Sequence, residues 1–186
     1  MIDVLSAFGL SSAAGLNAYL PLLIVGLVAR YTDLVTLRAP WNALENPWVL
    51  GVLGVLLVIE MTVDKIPAVD TVNDVIHTVV RPAAGAILFA SSSNAISDVN
   101  PALAIICGLL MAGGVHAVKA TARPVITAST GGLGNPVVSL LEDIVSAITA
   151  IVAIVLPALA AGVILGVLAL FAWWFFRRRR RRLGEA

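Results

Sequence analysis

The sequence predicts an all-α, polytopic transmembrane helical bundle of about six spans, with broken or re-entrant segments. Three observations carry that prediction. Of the 186 residues, 60% are hydrophobic and 12% charged, with a mean hydropathy of +1.00; a soluble domain of this size has too little interior for so much apolar side chain. The apolar residues also fall in stretches suited to ~30 Å of hydrocarbon, which takes about 20 helical residues to cross. Finally, the basic residues divide unevenly between alternate connections, as orientation in a membrane requires.

The first candidate span runs from Val4 to Ala29 and is interrupted by Asn17 and Pro21. Its Met-Ile-Asp start lacks the basic n-region of a signal peptide and its apolar stretch is too long for an h-region, so it reads as a retained span. The second starts at Trp48 and reaches about Val63. A third, short and rich in small residues, follows Pro82 and ends near Ser91; the fourth runs from Pro101 to about Lys119. From Val137 to Phe176, Glu142 and Asp143 are the only charges. One helix of that length would measure about 60 Å, too long for one crossing, so a break near Pro157 to Gly162 makes a fifth and a sixth span.

Trp173, Trp174, Phe175 and Phe176 then form an interfacial aromatic belt, and Arg177 to Arg182 an anchor. Residues 1–176 thus constitute one transmembrane domain and 177–186 a basic cytoplasmic tail. With the tail inside, six spans place Lys65, Arg81, Lys119 and Arg123 inside too, leaving Arg30 and Arg38 outside. Five spans would reverse the earlier connections and spoil the asymmetry. Both termini are therefore expected in the cytoplasm. An arginine run can also bind nucleic acid, but its place directly after an apolar span argues against such a partner. The single cysteine, Cys107, excludes an intrachain disulfide.

Ionisable residues in or near a membrane are costly and usually face a cavity or a partner. Here they gather in two stretches. Glu60 and Asp64 are four apart, on one helical face; Asp70, Asp74, His77 and Arg81 follow at steps of four, three and four. The second stretch holds His116, Lys119 and Arg123, then Ser129-Thr-Gly-Gly-Leu-Gly-Asn135-Pro136, then Glu142 and Asp143. Each has a His followed by Arg-Pro, and Ser12-Ala-Ala-Gly-Leu-Asn17 echoes the segment from Ser129. A degenerate duplication with parallel halves fits these likenesses, and proline and glycine at such points permit irregular backbone where it lines a cavity. Blander readings stay open. Lys65 and Arg81 suit interfacial snorkelling, the Asp70, Asp74, His77 stripe suits the solvated face of a surface helix, His116 suits packing, and Asn17 suits a bond to a neighbouring helix. They account poorly for so many ionisable residues in two stretches on one side of the membrane.

Specific chemistries are weakly supported. Asp70, Asp74, His77 and His116 offer metal-ligand types without a dense motif, so a metal stays unknown. The glycine-rich segment lacks the Gly-Lys-Ser/Thr of a phosphate loop and the dinucleotide fingerprint. Arg81, Lys119 and Arg123 could grip a phosphate, yet the Ser-Gly-His step of membrane lipid phosphatases is missing. No nucleophilic triad stands out and no cofactor is implied.

Four strings carry a resemblance: Ala14-Gly-Leu-Asn17-Ala-Tyr-Leu-Pro21-Leu22, Val80-Arg81-Pro-Ala-Ala-Gly85, Gly113-Gly-Val-His116-Ala-Val-Lys119-Ala-Thr-Ala-Arg123-Pro124 and Gly131-Gly-Leu-Gly134-Asn135-Pro-Val-Val-Ser139-Leu-Leu-Glu142-Asp143. The chain resembles, from about Gly9 to Ala150, the bacterial membrane family called domain of unknown function 4126. The resemblance implies a bacterial inner-membrane protein and brings no activity with it.

The residues favour a small transporter or channel for an ion or small polar solute. Glu60, Asp64, Lys119, Arg123, Glu142 and Asp143 are expected to line its site, acids of one stretch meeting bases of the other. His77 and His116 are the candidates for proton-linked change, and Asn17 and Asn135, beside helix breaks, offer uncharged coordination. A membrane enzyme acting on a lipid or phosphorylated substrate is the alternative, and a structural subunit the third reading. The expected partners are the lipid bilayer and the solute, with room for a homo-oligomer.

Overall fold

The computed structural model describes residues 2–64, 67–92, 98 and 100–156, with 163, 166–168, 170, 171, 173 and 174 beyond them; the side chains of 2, 3 and 67–74 are outside that description. Within it every regular element is helical: α1 (Ile2–Leu16), α2 (Tyr19–Tyr31), a 3-10 turn (Trp41–Glu45), α3 (Pro47–Val63), α4 (Pro67–Ser92), α5 (Pro101–Thr130) and α6 (Asn135–Val155). The break near Pro157, Lys65 and the arginine tail lie outside the described residues.

Local sequence explains several boundaries. Asn46 precedes Pro47 and accepts a hydrogen bond from the Trp48 amide at 2.9 Å. Asn100 precedes Pro101 and accepts from the Ala102 and Leu103 amides at 3.0 and 3.2 Å. In both, an asparagine satisfies free first-turn amides and proline occupies the position whose amide needs no partner. The helix α5 ends at Gly131, whose φ of 63° is left-handed backbone that glycine adopts without a Cβ clash.

Three expected spans have different limits in the structure. Val4 to Ala29 is not one continuous helix: α1 and α2 are separate, with Asn17 and Ala18 between them. The third span does not begin after Pro82, because α4 passes through it, and α5 likewise continues through Pro124 to Thr130. An interior proline loses one backbone donor, a loss that packed neighbours can absorb; the Pro82 ring lies against Gly113 of α5. The apolar windows Val75–Ser92, Pro101–Thr130 and Asn135–Val155 are long enough to cross a membrane, whereas Val4–Leu16, Tyr19–Tyr31 and Pro47–Val63 are shorter apolar helices.

The most extensive packing joins α4 to α5, with α1 lying against both and against α6; α2 packs on α3, on α6 and on the 3-10 turn. Small residues let the helices approach. At Gly108 an added Cβ would collide with the Gly85 carbonyl and with Ala86. Ser11 donates to the Gly85 carbonyl at 2.7 Å and Ser146 to the Ala13 carbonyl at 2.9 Å, tying α1 to α4 and α6.

Polarity is reversed relative to a soluble protein. On α6 the buried residues are Asn135, Ser139, Asp143, Ser146, Ala150 and Ala153, while Leu140, Leu141, Ile144, Ile148 and Ile151 are exposed. On α5, His116, Lys119 and Arg123 are buried while Ile106 and Leu110 are exposed. In water this arrangement would forfeit the hydrophobic effect; in lipid the outside must be apolar and the polar groups satisfy one another inside. The chain is a membrane-type helical bundle.

Candidate functional site

The interruption between α1 and α2 organises the polar interior. Asn17 Oδ1 accepts from the Tyr19 and Leu20 amides at 3.2 and 2.9 Å, and its Nδ2 donates to Asp143 Oδ1 at 2.9 Å. One side chain thus caps the start of α2 and holds α6 against the break. The broken ends attract opposite charges, as helix termini do. Lys119 Nζ donates to the Leu16 carbonyl, at the C-terminus of α1, at 3.2 Å. Glu60 Oε1 receives the Ala18 amide, at the N-terminus of α2, at 3.5 Å.

Around the break α3, α4, α5 and α6 contribute a charge network. Arg81 lies 3.1 Å from Glu60 and 3.5 Å from Asp64. Lys119 lies 3.3 Å from Asp64 and 2.8 Å from Glu142, and Arg123 lies 3.3 Å from Asp64 and 3.1 Å from Glu142. Arg81 is fully buried, and only Glu142, with its side chain 15% exposed, reaches the edge of the protein. Charges this enclosed persist only when paired, and removing one partner strands the other.

The two histidines differ. His116 Nδ1 faces the Arg81 guanidinium at 3.0 Å and Nε2 faces Thr78 Oγ1 at 3.2 Å. Arginine can only donate, so a hydrogen bond at this position requires Nδ1 to accept, as it does in the Nε2–H tautomer. His77 Nδ1 lies 3.4 Å from Glu60 Oε1, within ion-pair reach but without hydrogen-bond geometry, and its ring meets Tyr19 edge-on with centroids 5.9 Å apart. Glu60 Oε2 is buried with no hydrogen-bond partner among the described residues.

Asn17, Glu60, Asp64, His77, Arg81, His116, Lys119, Arg123, Glu142 and Asp143 therefore form one continuous constellation. The acids of the first stretch do meet bases of the second through Asp64, whereas Glu60 takes its cation from its own stretch. Asn135 exchanges hydrogen bonds with Thr127 at 2.9 and 3.1 Å, at the turn between α5 and α6. Asp70 and Asp74 fall within α4, but their side chains lie outside the described residues. Among the described residues no three of His, Cys, Asp and Glu are grouped to hold a metal. Sequence reasoning passed over Tyr19, Thr78 and Ser139. The last had a usable signal: Asn135, Ser139, Asp143 and Ser146 repeat at steps of four, four and three within an apolar helix.

Beside the network is a cavity of about 300 Å³ between α1, α5, α6 and the described residues beyond 160. Leu16, Val118, Val145 and Phe171 give it apolar walls, and Lys119 and Glu142 stand at its polar edge.

The chain matches none of the curated proteins and none of the solved structures compared with it. A family match extends from residue 4 to residue 178, nearly the whole chain. The chain belongs to the family described as Domain of unknown function (DUF4126).

Proposed function

We propose that the protein is a small transporter or channel of the bacterial inner membrane, moving an ion or small polar solute through the network at the α1–α2 break. In this reading α1 and α2 make one broken crossing of six, and both termini are cytoplasmic. The observation that carries it is the break itself: two helix ends, buried and capped by opposite charges, joined to pairs from four other helices. Discontinuous helices in membrane transporters present their termini to ions and solutes in this way. The paired state is the closed one, in which side chains satisfy each other without a ligand. Opening requires pairs to exchange partners, and His77 beside Glu60 is the better candidate for a proton-linked trigger, because the guanidinium holds His116 as an acceptor.

The test is flux in proteoliposomes. Glu60→Gln, Lys119→Met and Glu142→Gln are expected to lower flux at least about tenfold while the protein still inserts, since each removes a charge maintained only by specific partners. Arg38→Gln and Asp98→Asn remove an exposed pair, 68% and 65% accessible, and should leave flux near wild type. Normal insertion with unchanged flux in all three network variants would sink the proposal.

The cavity favours a second reading, a protein that binds or acts on a lipid with a charged head. Its apolar walls suit an acyl chain and its Lys119–Glu142 edge a headgroup. A lipid that co-purifies in fixed ratio, in a protein without flux, would select it.

A further inference from the structure

Three cations converge on a single oxygen. Arg81 Nη2 of α4 and Lys119 Nζ and Arg123 Nη2 of α5 lie 3.5, 3.3 and 3.3 Å from Asp64 Oδ2. All three are buried, with side-chain exposures of 0, 2 and 6%. Like charges so close and so poorly solvated repel, and a shared anion is what holds them together. Two guanidinium edges and an ammonium around one oxygen are also the donor set by which proteins grip carboxylates and phosphates. The other acids are engaged differently: Glu60 takes Arg81, and Glu142 takes Lys119 and Arg123.

The anion at the centre stands at a helix end. Asp64 is the C-cap of α3, beyond Val63, whereas its three partners lie within α4 and α5. Withdrawing the carboxylate therefore calls for movement at the C-terminal end of α3, where Asp64 is buried. Glu60, Asp64, Glu142 and Asp143 face Arg81, Lys119 and Arg123, so withdrawing Asp64 leaves the formal charges of the constellation balanced, and a singly charged anion in its place restores the original charge. The flanking Glu60 and Glu142 then disfavour an anion carrying more than one charge.

We propose that the position of Asp64 Oδ2 is an anion-binding site for a singly charged carboxylate or phosphate oxygen, with Asp64 as its tethered occupant. A ligand enters by displacing the aspartate. The proposal deepens the functional reading above and rests on it for the site's role, making the transported solute, or the head of a bound lipid, anionic.

The experiment is chemical rescue. Asp64→Ala empties the site, and acetate supplied in solution is the probe. Purified in detergent, Asp64→Ala should be less stable than wild type. Its thermal midpoint should rise about 3–6 °C in acetate at roughly ten times its dissociation constant. The neutral isostere acetamide should not raise it, and wild type and Asp98→Ala, in which Asp64 competes for the site, should shift by no more than about 1–2 °C at the same acetate concentration. Adding Lys119→Met to Asp64→Ala should abolish the rescue. The source of the anion is distinguished in nanodiscs: rescue by acetate in pure phosphatidylcholine assigns a free carboxylate, and rescue only when phosphatidylglycerol is added assigns a lipid headgroup. Rescue by neither overturns the proposal. If Asp64→Ala cannot be isolated folded, Asp64→Asn keeps the shape and loses the charge. Calorimetry should then show acetate binding about tenfold tighter than to wild type, because the competing anion is gone; equal binding overturns the proposal. Rescue without wild-type flux would keep the anion site and reject transport, whereas flux without rescue would do the reverse.

Discussion

Replacing Arg81 with methionine keeps much of the side-chain volume and removes the guanidinium from the most enclosed point of the network. Glu60 Oε1 then loses donors at 3.4 and 3.1 Å, and His116 Nδ1 loses its donor at 3.0 Å. What stays near Glu60 is the Ala18 amide at 3.5 Å and His77 at 3.4 Å, both long. Hydrogen bonds to charged groups contribute about 1.5–3 kcal/mol each, but those from one guanidinium are not independent. The expected cost is therefore that of breaking a buried pair, about 3–5 kcal/mol. Reversible unfolding in mixed detergent micelles, followed by tryptophan fluorescence, measures it against Arg38→Met, which disrupts an exposed pair and should cost about 0–1 kcal/mol. Adding Glu60→Gln removes the stranded charge, so the double variant should be more stable than the summed single costs imply, by about 2 kcal/mol. An Arg81→Met cost equal to that of Arg38→Met would refute the reasoning, because it would mean that water or headgroups already reach Glu60.

Two further predictions concern topology and the helix break. In a Cys107→Ala background, single cysteines at Asp33, Ser93 and Gly162 should label from the periplasmic face and those at Thr71, Thr127 and Leu183 from the cytoplasmic face. A periplasmic label at Thr127 would contradict the six-span arrangement. Asn17→Leu removes the acceptor for the Tyr19 and Leu20 amides and one hydrogen bond to Asp143. Its expected cost in the same unfolding assay is about 2–4 kcal/mol, from a lost cap and a lost buried partner; a neutral effect would show that the break is held by packing alone.

Much of the fold was legible because lipid imposes simple demands. Apolar length located the helices, and Asn17 inside the first apolar stretch marked where that stretch is interrupted, whereas Pro21 falls in the first turn of α2. Pro82 misled, since a proline ends a helix only when nothing nearby replaces the lost hydrogen bond and packing. The residue types of the network were visible in the spacing of Glu60 with Asp64 and of His77 with Arg81, because one helix determines its own faces. Which cation meets which acid depends on how α3, α4 and α5 are rotated against one another, and no single segment encodes that. Close approach at Gly85 and Gly108 helps set that rotation for α4 and α5. Ser139 was missed because a serine in an apolar helix attracts notice only when it is counted with Asn135, Asp143 and Ser146.

The network has two chemically distinct ends, and Asp64 lies between them. One end comprises Glu60, His77 and Arg81 beside the start of α2. The other comprises Lys119, Arg123 and Glu142, with Lys119 also at the end of α1. Among the ion pairs described, Asp64 is the carboxylate that touches cations of both ends, through Arg81 on one side and Lys119 and Arg123 on the other. Neutralising Glu60 would alter the hold on Arg81, and the change could pass directly to the α5 cations through that shared oxygen. Withdraw Asp64 and the two halves retain their own pairs but lose this link. A device that must change the environment of a ligand at α5 in response to an event at α2 and α4 needs such a connection, made by a group that can leave. The sharing of one buried oxygen by three cations sets this cluster apart from the exposed Arg38–Asp98 pair, and it is the feature on which the proposed transport role draws.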